Sequence, residues 1–118
     1  METEQKIQNQ EEVKTQEVLK IEKRIKLTHR LNYDMYAYSV VDIYIVGMIN
    51  LDGKLIKISR SNGIYVHADD DPQEVIKKIE ALIRELETEV INKAKNILLI
   101  EEKIREFSTK NEITLEIE

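Results

Sequence analysis

Chemistry has few places to start in this chain. The first residue types to suggest it are His29 and His67, Ser59 and Ser61, and the acidic run Asp69–Asp70–Asp71. A general base must lie within hydrogen-bond reach of the group it deprotonates. The two histidines fall in different predicted elements, and no nucleophile pairs with either by spacing. Ser59 and Ser61 flank a predicted turn and read as turn residues. Three adjacent carboxylates suggest a cation. A calcium loop, however, needs alternating ligands, a central Gly and a Glu at the twelfth position, and this run has none of these. At the start of a helix the same carboxylates cap backbone N–H groups and complement the dipole. No G-x-S-x-G, P-loop, H-E-x-x-H or G-x-G-x-x-G motif occurs. The chain has no cysteine, which removes thiolate, disulfide and cysteine–zinc chemistry. The expectation is no catalytic, cofactor-binding or metal residue, and no enzyme.

The dominant element is predicted over residues 71–107. From Ile76, spacings of three and four give Ile79, Ile83, Leu86, Val90, Lys93, Ile97, Ile100, Ile104 and Phe107. This is a heptad seam, broken only by Lys93. Asp71 suits the N-cap, Pro72 the first helical position, and Glu74 the third position of a capping box. A helix of this length cannot bury its seam alone, so the spacing predicts a partner helix.

Residues 1–31 supply the predicted partner, a first helix with a sparse stripe (Ile7, Val13, Val18, Ile21, Ile25). Ile25, Leu27, His29, Leu31 and Tyr33 also alternate, which leaves a strand open at its end. Residues 33–68 carry all five Tyr and all three Gly, with alternating β-branched residues. Asp52–Gly53 carries the signature of a two-residue hairpin turn, pairing Ile49 with Ile56 and Gly47 with Ile58. Asn62–Gly63 reads as a second hairpin turn, giving three or four antiparallel strands in all. Residues 108–118 form a tail that alternates Ile113, Leu115 and Ile117 with polar residues. The expected fold is α+β: two long helices in an antiparallel coiled coil, joined by a small meander of two β-hairpins that assembles into an oligomeric barrel.

At 118 residues the chain makes one domain. Charged residues reach 35% and aromatics 5%, which suits solvated helices. Lys and Arg read as dispersed and answered by nearby Glu. With a net charge of −5, the composition argues against a nucleic-acid partner. No apolar run approaches the length of a membrane span, and residues 1–16 lack the apolar core of a signal peptide. The parallel homo-oligomer, a structural or adaptor coiled coil capped by the sheet, stays open as an alternative.

The stretch "SVVDIYIVGMINLDGKLIKISRSNGIYVHADDDPQEVIKKIEAL" resembles the central block of prefoldin α-type subunits. Ile43-Tyr44-Ile45 stands where that family reads LYV, Gly47 where it often has Gly, and residues 54–59 for its KVLVDI strand. Asn62 to Val66 stands for its xGYYV turn and strand. Val40–Val41–Asp42 lacks the glycine of the family's first glycine-containing segment. The resemblance implies an ATP-independent, cytoplasmic chaperone subunit. It would join β-type subunits in a hexamer through its strands, here Ile43, Ile45, Ile49, Ile56, Ile58 and Tyr65. It would hold unfolded clients at the coiled-coil tip and pass them to a chaperonin, with neither cofactor nor membrane. The tip residues would be Ile100, Ile104, Phe107, Ile113, Leu115 and Ile117, with Ile7 opposite.

Overall fold

The structure, a computed structural model, describes residues 19–30 and 39–118. Three antiparallel strands form one sheet in the order β1 (Leu19–His29), β2 (Ser39–Leu51), β3 (Lys54–Val66). One helix, α1 (Pro72–Lys110), lies across a single face of it. The paired long helices expected from the sequence are therefore corrected, among the described residues, to one helix on a three-stranded sheet.

The correction begins at residues 19–29, which were expected to be helical. Leu19, Ile21, Ile25 and Leu27 all occupy odd positions, and in a strand odd positions share one face. The register confirms it, with Leu19 opposite Ile49, Ile25 opposite Ile43 and Leu27 opposite Val41. Lys23 interrupts the apolar alternation on that face, and this made the helical spacing look equally good. The rest of the predicted first helix lies outside the described residues.

The β2–β3 hairpin forms as the turn chemistry requires. Asp52 and Gly53 both take positive φ, 52° and 82°, the backbone of a two-residue hairpin turn. Ile49 pairs with Ile56 and Gly47 with Ile58, the register expected. The second turn does not form. β3 runs unbroken through Asn62–Gly63, and Gly63 sits opposite Asp42. A Cβ at Gly63 would lie 2.6 Å from Asp42 Oδ1 and 3.3 Å from the Val41 carbonyl oxygen. Glycine here answers to close strand approach, not to a reversal.

The odd positions of β2 (Val41, Ile43, Ile45 and Ile49) are buried beneath Leu82, Leu86, Val90 and Ala94 of α1. These helix positions are spaced by four, so the stripe rotates by about 40° per step. A stripe that rotates follows a twisted sheet, whereas a heptad seam stays in line with a partner helix. The two patterns coincide in the middle, at Leu86 and Val90, and part at the ends. Ile76, Ile100, Ile104 and Phe107 of the expected seam are left about half exposed. Closest approach falls at Gly47, where a Cβ would lie 2.5 Å from Val90 Cγ1.

Two ion pairs straddle this contact. Lys23, Ile45 and Arg60 form one row across the sheet. Lys23 Nζ reaches Glu87 at 3.2 Å on one side of α1, and Arg60 Nε reaches Glu89 at 3.4 Å on the other. Both pairs are largely solvated, so each contributes at most about 1 kcal/mol. The rotation of the helix on the sheet is set by the buried stripe, and the ion pairs flank it on either side.

Candidate functional site

The polar residues considered first serve the fold. Asp70 Oδ2 accepts from the His67 N–H at 2.8 Å, and Asp71 Oδ1 accepts from the Gln73 N–H at 3.2 Å. Two carboxylates of the acidic run thus close the turn and cap α1. Glu74 makes no reciprocal capping bond and pairs instead with Lys77. His29 Nδ1 lies 2.7 Å from Ser39 Oγ, a pairing that spacing alone missed and the β1–β2 register explains. It resembles a base with its nucleophile, but Ser39 is 0% exposed. A substrate carbonyl has no approach to that hydroxyl, so the pair reads as a satisfied cross-strand contact.

The distal part of α1 is different. The helix has 39 residues, about 58 Å at 1.5 Å per residue, against about 44 Å for a 13-residue strand. It therefore outruns the sheet at the hairpin end. Arg105 marks the departure, with its guanidinium bonded to Asp52 in the turn at 3.0 Å and to Glu101 at 2.9 Å. The hydrogen bond to Glu101 is the main cause of its pKa rising above the ordinary arginine value, with Asp52 adding to it.

Helical geometry tells which side the apolar residues occupy. Phe107 lies eighteen residues after Glu89, about five whole turns, so it falls on the same side as Glu89, toward β3. Asn96 and Ile100 fall there too, with Leu99, Lys103 and Ile104 beside them. Together these six line a shallow depression of about 330 Å³. Its four apolar residues, Leu99, Ile100, Ile104 and Phe107, are each between 48% and 61% exposed. Scattered exposed apolar side chains need no explanation, whereas a group of them on one flank does.

The helix then closes with a Schellman cap. The Ile113 N–H donates to the Ser108 carbonyl at 2.8 Å and the Glu112 N–H to the Thr109 carbonyl at 3.4 Å. Glu112 takes φ 54°, a conformation usually filled by glycine. Residues 113–118 follow without regular structure, and Ile113, Leu115 and Ile117 are exposed.

Of the expected tip residues, Ile100, Ile104 and Phe107 come together on this flank, and Ile113, Leu115 and Ile117 follow directly in the tail. Ile7 lies outside the described residues. Leu99, Asn96 and Lys103 complete the surface and were not singled out in the sequence. Their spacing of three and four from Phe107 was the available signal, obscured because the heptad seam claimed Ile97 instead. The expected assembly strands lie elsewhere. Ile43, Ile45, Ile49 and Ile58 are buried by the chain's own helix, Ile56 is half-buried, and Tyr65 is exposed on the opposite face. No protein-family model, curated protein or solved structure matches the chain.

Proposed function

We propose that this chain is a non-catalytic protein-binding module that holds apolar segments of other polypeptides at the distal flank of α1, without ATP. The observation that carries the reading is the grouping of Leu99, Ile100, Ile104 and Phe107 on one flank of α1 at the hairpin end of the sheet, with an apolar tail next to them. The sheet and the buried half of α1 act as a mount.

The strength of such a site can be bounded. Fully burying a Leu, Ile or Phe is worth about 1.5–3 kcal/mol. Half-exposed residues therefore gain roughly 1 kcal/mol each, or about 4 kcal/mol for four, before ordering costs. That corresponds to a dissociation constant of about 1 mM. Weak capture of this kind suits transient holding of non-native chains. Useful avidity then comes from the tail or from several modules acting on one client. Joining β-type subunits through the strands and delivery to a chaperonin form no part of this reading, because Ile43, Ile45, Ile49 and Ile58 of those strands are buried under the chain's own helix.

Light scattering at rising temperature tests the proposal, with a readily aggregating client, the protein in molar excess and no nucleotide. The intact chain suppresses aggregation, and the variant carrying Ile104→Asp and Phe107→Asp loses most of that suppression while keeping its circular dichroism. Equal suppression by both defeats the proposal.

The adaptor alternative has its own support. The edge strands β1 and β3 each pair with β2 on one side and have no strand neighbour on the outer side among the described residues, and open edges invite pairing with another chain. Here the same flank would be covered by a second copy. A stable oligomer in solution that dissociates on Ile104→Asp and Phe107→Asp substitution favours this alternative over client holding.

A further inference from the structure

The sheet has a second face, which α1 does not touch. Its charge differs from that of the whole chain. Residues 19–66 carry eight Lys and Arg against four Asp and Glu, whereas residues 71–118 carry eight against twelve. The acidic net charge of the chain thus conceals a basic sheet.

Register places the outward side chains in rows. Lys20, Met48 and Lys57 form one row, Arg24, Tyr44 and Ser61 another, and Thr28, Val40 and Tyr65 a third. Between these lie the rows Glu22–Val46–Ser59 and Lys26–Asp42–Gly63. Four cations therefore share the face with two carboxylates. None of Lys20, Arg24, Lys26 or Lys57 is in a salt bridge among the described residues. Lys23 and Arg60, on the other face, are both engaged with the helix. Tyr44 stands at the centre of the open face, 36% exposed, and Tyr65 near one end, 65% exposed. The guanidinium carbon of Arg30 sits 5.6 Å from the centroid of the Tyr65 ring and adds a cation there. From strand spacings, the two tyrosines lie about 14 Å apart.

We infer that this open face binds single-stranded nucleic acid, with Tyr44 and Tyr65 as stacking platforms and Lys20, Arg24, Lys26 and Lys57 on the phosphates. Charge complementarity selects a polyanion. The exposed rings select one whose bases are unstacked and can reach an aromatic side chain on a sheet surface. A duplex hides its base faces and offers the tyrosines nothing. An anionic lipid surface would meet the same cations but would want several protruding aliphatic groups, and of the exposed large side chains on this face, Tyr44, Leu55 and Tyr65, one alone is aliphatic and it stands at the hairpin end. The inference is independent of the distal flank, which lies at the other side of the molecule's charge divide.

The test is fluorescence anisotropy of the full-length chain with a labelled 20-mer of deoxythymidine, a 20-mer of uridine, and a blunt duplex of equal length. Vesicles containing phosphatidylserine form a separate arm. Saturable binding to at least one single strand is expected in 50 mM salt, at least about tenfold tighter than to the duplex. About four phosphate contacts on a single strand give a loss of about 50-fold between 50 and 200 mM salt. Tyr44→Ala weakens binding about 5- to 150-fold. Arg24→Glu combined with Lys26→Glu abolishes it. Lys77→Glu combined with Lys78→Glu, on the helix, leaves it unchanged. All these positions are solvent-facing, and unchanged thermal unfolding verifies that each variant folds. No saturable binding to either single strand overturns the inference, as does equal duplex affinity or indifference to Tyr44→Ala. Vesicle binding without oligonucleotide binding overturns it too. Ile104→Asp with Phe107→Asp leaves oligonucleotide affinity intact, so failure here and failure of client holding are read separately.

Discussion

Gly47 and Glu112 carry opposite lessons at the scale of single residues. Gly47 leaves the hollow that Val90 fills, and a methyl group there would lie 2.5 Å from Val90 Cγ1 and 3.2 Å from Leu19 Cδ1. Val90, the nearer neighbour, has little free space to move into, because it is fully buried. Gly47→Ala is therefore expected to destabilise the fold by about 1–3 kcal/mol, the usual cost of overpacking. Urea unfolding checks this, through a lower midpoint at unchanged slope. Glu112 errs the other way. It holds a left-handed backbone at the helix C-terminus, where its negative charge also opposes the dipole. Glu112→Gly removes both penalties and is expected to stabilise the chain by about 1 kcal/mol. A lower melting temperature in that variant would show that the cap is held by something other than backbone geometry.

At the scale of elements, α1 divides into an anchored part and a projecting part. Its buried stripe ends at Ala94, with Ile97 and Leu98 partly covered. Beyond that, the Arg105–Asp52 pair is the tie to the hairpin turn, and it is a solvated one. Ending the chain after Ile100 is thus expected to lower stability by no more than about 1 kcal/mol while weakening client holding. Calorimetry and aggregation assays on the same sample check both halves. Collapse of the fold in that variant would mean that the distal helix also supports the sheet. The two clamps beside Val90 should behave as solvated pairs. A double-mutant cycle of Lys23→Ala and Glu87→Ala is expected to give a coupling below about 1 kcal/mol.

These elements were unequally legible in the sequence. The helix start and the Asp52–Gly53 hairpin were readable, because capping and positive-φ turns each demand particular residues at fixed positions. β1 was not, because Val18, Ile21 and Ile25 satisfy a helical period while Leu19, Ile21, Ile25 and Leu27 satisfy an alternating one. Only the pairing with β2 decides between them, and that is a tertiary fact. Asn62–Gly63 misled because glycine serves close strand approach as well as turns. The heptad seam misled at its ends because a sheet and a partner helix accept nearly the same apolar period over a few turns. Of the distal surface, Ile100, Ile104 and Phe107 were visible as apolar residues, but their exposure depended on where the sheet stops.

At the scale of the whole molecule, the two proposed functions fall on separate surfaces. One sheet face and the middle of α1 are spent on the core. The other sheet face is basic and carries two exposed tyrosines, and the distal flank of α1 is apolar. Composition averages these into a mildly acidic chain, which is why a basic face was invisible in the net charge. Charge reversal on the sheet should therefore leave client holding unchanged, as measured by aggregation of the same client with the Arg24→Glu, Lys26→Glu variant. Loss of holding there would tie the two surfaces together.

The central claim, that clients are held at the distal flank of α1, is tested most directly by site-specific crosslinking. The chain contains no cysteine, so Phe107→Cys and Lys57→Cys each give a single attachment point for a photoreactive group. Irradiation with a denatured client in the absence of nucleotide is expected to crosslink the client from position 107 and not from position 57. Crosslinking from position 57 alone, or equally from both, would contradict the account.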